Sequence, residues 1–272
     1  VQIIIGANKH RANGDLKTPH YINIKKMTTS THIQSISDIT NIKYINLDSR
    51  PDRKIHIETQ LTRVGFLMYE RFKAIKTTNG AIGCTMSHLK CLMDAKEKGL
   101  SHLLICEDDT TFLKPDLFRN QLNSFLAKQH PWDVVLFAGN NILPYDHVDD
   151  TCIKVSHCQT TTCYLVNGHY FSTLIENINA GLQLLMQNPS YRFYYAIDKY
   201  WLQLQKCDKW YLIIPATVIQ QEGYSDIEHK VMNYVGLMTN VNKSIVPTPL
   251  TSAQDNSNPN FKMKNLLYKH TF

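Results

Sequence analysis

The 272-residue chain has no apolar run approaching the ~18 residues a membrane span needs, so no transmembrane segment is expected and any membrane contact would be peripheral. It has no Walker motif and no GxGxxG glycine loop, which removes two common sequence signs of a phosphate cradle. There is no internal repeat. Lys and Arg are not clustered among aromatic residues, and the formal net charge is only +6, so no nucleic-acid partner is expected. A mild basic excess suits anionic ligands such as nucleotide diphosphates. None of the seven cysteines forms a CxxC pair, and no Cys/His quartet has zinc spacing. Most lie inside apolar segments, as buried reduced thiols do, which favours a reducing compartment. Val1 opens the chain with no basic-then-apolar leader pattern. The expected compartment is the cytoplasm, or the ER lumen if a signal peptide has been removed.

What is present is an ordinary globular composition, 43% hydrophobic and 19% charged, long enough for one large α/β domain with tails. Residues 1–41 lack periodicity and are read as an N-terminal extension or tail. From residue 42 to 230 strand and helix patterns alternate. Lys43–Asp48 is a short apolar run that reads as a buried strand. A helix follows, with Ser49 as the expected N-cap, Pro51 in its first turn and Gly65 as its stop. Leu67–Ile75 reads as a strand. Residues 83–98 read as a helix stopped by Gly99, and His102–Cys106 as a third strand. Further helices are expected at Pro115–Gln129, 169–186 and 198–206, and further strands at Asp133–Ala138, Thr160–Val166 and Trp210–Ile214. This order predicts a Rossmann-like, mainly parallel sheet flanked by helices, with ligands at the carboxyl ends of its strands. Residues 231–272 form a C-terminal segment expected to be partly mobile, since 239–260 are rich in Asn, Ser, Thr and Pro.

The most informative stretch is Leu103-Leu-Ile-Cys-Glu-Asp-Asp-Thr110. Three adjacent carboxylates directly after a buried strand cost several kcal/mol each if buried unpaired. They must therefore stand at the strand's end, facing solvent or a cation. An all-oxygen ligand set suits a hard ion, Mn²⁺ or Mg²⁺, that neutralises charge on a departing diphosphate. Strand alternation places Glu107 and Asp109 on one face and Asp108 on the other, which makes Asp108 the structural member. The triplet alone also suits a phosphohydrolase or nucleotidyltransferase, or an acidic turn with no ligand at all.

Several stretches in order resemble glycosyltransferase family 25, the group of lipooligosaccharide and procollagen galactosyltransferases. They are Tyr44-Ile-Asn-Leu-Asp-Ser-Arg-Pro-Asp-Arg53, Phe72-Lys-Ala-Ile75, Gly83-Cys-Thr-Met-Ser-His-Leu89, the acidic triplet, Trp132-Asp133, Thr162–Val166, Ala196-Ile-Asp198, and Pro215 with Gln220 and Ser225-Asp226-Ile227. The resemblance runs over roughly residues 43–230. It implies a GT-A type fold, a UDP-hexose donor carrying galactose or glucose, a divalent ion, and an inverting transfer to a hydroxyl of a glycan or a hydroxylysine-type peptide. A non-catalytic nucleotide-sugar-binding module would share the same fold.

On that resemblance, Asp109 and Glu107 are the expected metal ligands, with His229 as a third. Leu47, Arg50, Arg53, Ala74, Glu107 and Asp108 are the expected nucleotide-sugar contacts. Asp198 is the expected base that takes the acceptor's proton, with a plain helix cap as its bland alternative. Ser87 and His88 are adjacent on a helix and point about 100° apart, so they cannot form a nucleophile–base pair and are read as structural. Tyr191, Tyr194, Tyr195 and Trp201 suit either stacking on an acceptor sugar or core packing.

Overall fold

A computed structural model describes residues 33–225 and 230–244. Its elements run β1 (Ile42–Asn46), α1 (Pro51–Val64), β2 (Glu70–Lys73), α2 (Gly80–Glu97), β3 (His102–Glu107), β4 (Thr110–Phe112), α3 (Pro115–Ala127) and β5 (Val134–Leu136). Four short strands follow: β6 (Asn140–Asn141), β7 (Tyr145–His147), β8 (Cys152–Val155) and β9 (Cys158–Gln159). Then come β10 (Cys163–Asn167), α4 (Phe171–Gln187), α5 (Arg192–Tyr195), α6 (Ile197–Tyr200), α7 (Leu202–Gln205) and β11 (Trp210–Ile213). The last elements are β12 (Val218–Gln220), β13 (Gly223–Ser225), β14 (Lys230–Met232) and α8 (Val235–Thr239).

Eight strands form one sheet in the order β2-β1-β3-β10-β5-β11-β8-β7. β1 pairs in parallel with β2 and β3, and β11 with β5; β10 is antiparallel to both β3 and β5, and β8 to both β11 and β7. Six of the eight strands therefore share one direction, as expected, while β10 and β8 run against them and make the sheet mixed. The reversal follows from the chain's path. After β5 the chain does not cross back by a helix. It makes an excursion through β6–β9 and returns between β3 and β5, so the start of β10 lies beside the end of β3.

Two apolar clusters cover the two faces. Ile57, Leu61, Phe118 and Leu122 of α1 and α3 pack on one; Leu89, Leu92, Leu174 and Ile178 of α2 and α4 pack on the other, with Trp201 and Trp210 fully buried. Each such leucine contributes enough that truncation to alanine costs about 2–5 kcal/mol. The segment ahead of β1 joins this core: Ile39 is buried, and the backbone N–H groups of Thr40 and Asn41 donate to His102 Nε2.

Helix starts other than that of α3 differ from the sequence reading by one to three residues, and at α1 and α2 the residues at the start explain the difference. The first helix begins after Arg50, not Ser49, and no side chain caps it; Pro51 fills the first position, where the missing N–H costs nothing. The second begins three residues earlier than expected, at Gly80, because Asn79 accepts from the N–H groups of Ala81 and Ile82. Gly65 and Gly99 stop their helices with φ of 97° and 63°, as the pattern requires. The expected helix over 198–206 is two short turns, α6 and α7.

Candidate functional site

The carboxyl ends of β1, β2 and β3 and the start of β10 meet at one edge of the sheet. Gly83 lets α2 approach that edge: a Cβ there would stand 2.5 Å from the Ile75 carbonyl oxygen. Ser87 ties the same contact, accepting from Ile75 N–H and donating to Gly83 O, both at 2.8 Å. That is the structural role expected of it.

Two clefts open at this edge. The first, of 330 Å³, is lined by Leu47, Arg50, Arg53, Ala74, the loop Lys76–Thr78, Glu107, Asp108, Asp109 and Gln220. The second, of 220 Å³, is lined by Gln159, Thr160, Thr161, Arg192, Phe193, Asp198 and Tyr234. Cys84, Glu107 and Gln220 line both, so they form the wall between them. All six nucleotide-contact candidates thus lie on the first cleft and Asp198 on the second. His229 lies outside the described residues.

The acidic triplet does not alternate as an extended strand would. β3 ends at Glu107, and the chain turns at Asp108-Asp109 into β4. Thr110 fixes the turn, its hydroxyl 2.8 Å from the carbonyl oxygens of both Glu107 and Thr162. Asp108 and Asp109 consequently share a side, where Arg53 donates to both, at 3.1 and 3.0 Å. Glu107 turns the other way: His88 Nε2 lies 3.2 Å from its Oε1, and the Thr161 hydroxyl donates to the same oxygen at 2.5 Å.

These neighbours set the three acids apart. Burial pushes Glu107 upward, but the His88 hydrogen bond and the other donors outweigh it and hold the group below the usual carboxylate range. Asp108 has both oxygens engaged, Oδ2 by Asn46 at 2.7 Å and Oδ1 by Arg53; burial still raises it. Asp109 is 3% exposed, and burial followed by the charge of Glu107 pushes it up to about 7. Its Oδ2 is held by Arg53 and by Gln220 at 3.0 Å, while its Oδ1 is buried with no hydrogen-bond partner. An orphaned buried carboxylate oxygen costs at least about 1–3 kcal/mol, and a cation satisfies it. The residues therefore fit a hard divalent ion.

Two arginines have defined work. Arg50 forms a two-point pair with Asp52, at 3.1 and 2.8 Å. Arg53 clamps the aspartates and also donates to the Tyr224 carbonyl at 3.0 Å, so it faces carboxylates where the sequence suggested a diphosphate. Asp198 is not a helix cap. Ala196 holds that position, and Asp198 Oδ2 instead accepts from the backbone N–H of Thr160 at 3.2 Å, with Lys199 Nζ at 3.4 Å. Thr160 has φ of 78°, an outlier for a β-branched residue, so this contact holds a strained backbone against the second cleft.

The aromatic candidates separate. Trp201 is core, edge-on to Tyr164 and Trp210. Tyr191, Tyr194 and Tyr195 pack on one another. The exposed ring on the second cleft is Phe193, 65% accessible, with the Arg192 guanidinium 4.9 Å from its centre. Sequence reasoning missed Phe193, Thr161 and the Lys76-Thr77-Thr78 loop. The loop had a visible signal, hydroxyls and a cation just ahead of Asn79 and a helix start.

The sequence model of Glycosyltransferase family 25 (LPS biosynthesis protein) matches residues 76–179. Those residues carry Cys84, His88 and the whole acidic triplet; Leu47, Arg50, Arg53, Ala74 and Asp198 lie outside them. No curated protein matches the chain. Among solved structures, it is similar to mannose-1-phosphate geranyltransferase from Thermus thermophilus, at 10% identity and a TM-score of 0.41, over 64% of this chain and 73% of that one. It is similar to a glycosyltransferase involved in glycosylation of the major capsid of PBCV-1, at 13% identity and a TM-score of 0.33, over 64% and 92%. A Drosophila galactosyltransferase in complex with manganese, UDP-Gal and xylobiose aligns at 11% identity and a TM-score of 0.32, over 80% and 82%.

Proposed function

From a segment matched by glycosyltransferase family 25 that carries Cys84 and Glu107 of the wall between two clefts, we propose that this chain is a GT-A type, metal-dependent, inverting hexosyltransferase. The donor is a UDP-hexose, galactose or glucose, bound in the first cleft; the acceptor is a hydroxyl of a glycan or hydroxylated peptide in the second. The observation that carries this reading is Asp109 Oδ1, buried and unpartnered at the end of β3 beside a cleft of nucleotide size.

Asp109 would hold Mn²⁺ or Mg²⁺, and Glu107, turned towards His88 and Thr161, does not share that ion as strand alternation had suggested; the bound ion would supply neutralisation of the charge that develops on the departing diphosphate. Asp108 keeps the turn in register through Asn46 and Arg53. Lys76 and Thr78 line the first cleft and suit phosphate oxygens, Thr77 spends its hydroxyl on the Asn79 carbonyl at 2.6 Å, and Leu47 and Ala74 leave room for the base and ribose. In the second cleft Asp198 takes the proton of the attacking hydroxyl, Lys199 and Thr160 orient its carboxylate, and Phe193 offers a face to a sugar ring. Seven cysteines without a disulfide support a reducing compartment such as the cytoplasm.

The test is a panel of UDP-sugars and nucleoside triphosphates with Mn²⁺, followed by product release. UDP release that requires both metal and acceptor supports the reading. Pyrophosphate release would identify a nucleotidyltransferase instead, and tight UDP binding without turnover a binding module.

A further inference from the structure

The wall between the clefts holds a second kind of ligand set. Cys84 and His88 stand one turn apart on the same face of α2, and both aim at Glu107. Cys84 Sγ lies 3.9 Å and His88 Nε2 3.2 Å from Glu107 Oε1, and the three ligand atoms all fall within 4.8 Å of one another. In a tetrahedral zinc site, bond lengths of about 2.0 Å to nitrogen and oxygen and 2.3 Å to sulfur put ligand atoms roughly 3.3–3.6 Å apart. The two separations to Glu107 lie close to that spacing, and the cysteine-to-histidine separation is within 4.8 Å, so the cluster reaches it by side-chain closure at sulfur.

We propose that Cys84, His88 and Glu107 bind a borderline divalent transition-metal ion of the Zn²⁺ class, in addition to the hard ion at Asp109. One thiolate, one imidazole and one carboxylate select such an ion over Mg²⁺ or Mn²⁺, and all three residues line the first cleft, which leaves a fourth position open. Outer contacts already orient the ligands. The Tyr164 hydroxyl sits 2.9 Å from His88 Nδ1, and the Thr161 hydroxyl holds the Glu107 carboxylate. On binding, the Cys84 thiol gives its proton to solvent. His88 gives up the Nε2 proton it shares with Glu107 and takes one from solvent at Nδ1, donating there to the Tyr164 oxygen, so that Nε2 offers its lone pair. Nothing in this binding needs a nucleotide or turnover, so it stands or falls apart from the transferase reading.

The probe is Co²⁺, added to the full chain without nucleotide. Thiolate ligation gives a strong near-ultraviolet sulfur-to-cobalt charge-transfer band. That band should saturate at one equivalent and be bleached by Zn²⁺. It should vanish in Cys84→Ser and persist in Cys207→Ser, which alters the exposed cysteine, and in Asp109→Ala. Tyr164→Phe should keep the band but weaken Co²⁺ binding roughly 10–100-fold. The proposal is overturned by no band in the wild type, by a band surviving Cys84→Ser, by one lost in Cys207→Ser or Asp109→Ala, or by unchanged affinity in Tyr164→Phe.

Discussion

Strand β3 carries buried polar groups at both ends, and the two ends are treated differently. At its start, His102 is 3% exposed and fully engaged: Nε2 accepts from Thr40 and Asn41 at 3.1 and 3.3 Å, and Nδ1 meets the Ser101 hydroxyl at 3.0 Å. At its finish, Asp109 is equally buried, yet one oxygen has no partner and a cleft lies alongside. A polar group that holds a fold together has its hydrogen bonds closed within the protein. A polar group kept for a ligand has capacity left over, and the fold tolerates the cost.

The sharpest way to break this comparison is Asp109→Ala. If the residue serves a bound ion, metal-dependent turnover should fall by roughly 10³-fold or more. Stability should change by less than about 1 kcal/mol, because the lost group was itself poorly satisfied and Arg53 keeps Asp108 and the Tyr224 carbonyl. Activity assays and urea unfolding on the same preparation check both halves. Loss of stability in step with activity would make Asp109 another structural group like His102.

A smaller effect separates the two clefts. Asp198→Asn keeps the shape of the side chain and an acceptor for Thr160 N–H but removes the base. We expect kcat to fall roughly 10²-fold, within the usual range for a general base, while UDP affinity measured by calorimetry stays put. Equal losses in UDP binding and kcat would instead place Asp198 among the groups that shape the donor cleft.

How much of this was legible in the sequence differs between the halves of the sheet. β1, β3, β5 and β11 show as apolar runs, and α1 and α2 end where Gly65 and Gly99 stand, because burial and left-handed backbone leave a mark in residue type. The reversal of β10 leaves none. A strand's direction is set by the route into it, here the short strands between Asn140 and Gln159, which have no apolar period of their own. Alternation misplaced the triplet because it holds only while the backbone stays extended, and the turn begins at Asp108. Leu47, Arg50, Arg53 and Ala74 came from resemblance alone, and their gathering on one cleft is a tertiary fact. The convergence of Cys84 and His88 on Glu107 was likewise invisible, since only folding brings α2 over the end of β3.

The other end of β3 offers the mildest test, and it works through pH. Burial holds the His102 imidazole down to about 4 from an ordinary 6.5, with Asp38 pulling weakly the other way. Below pH 6.5 the unfolded chain takes up a proton that the folded protein refuses. The folded state therefore loses stability as pH falls from about 6.5 towards 4, and nothing changes from this group above that window. The full loss is about 3 kcal/mol, of which about 2 kcal/mol is reached by pH 5. His102→Gln keeps an acceptor for Thr40 and Asn41 but cannot titrate. Urea unfolding of both proteins at pH 7.5 and 5.0 cancels the groups they share, so the wild type should lose about 2 kcal/mol more than the variant over that interval. Equal losses in the two proteins would mean that the imidazole is not held neutral, and that this end of the strand is less closed than its hydrogen bonds indicate.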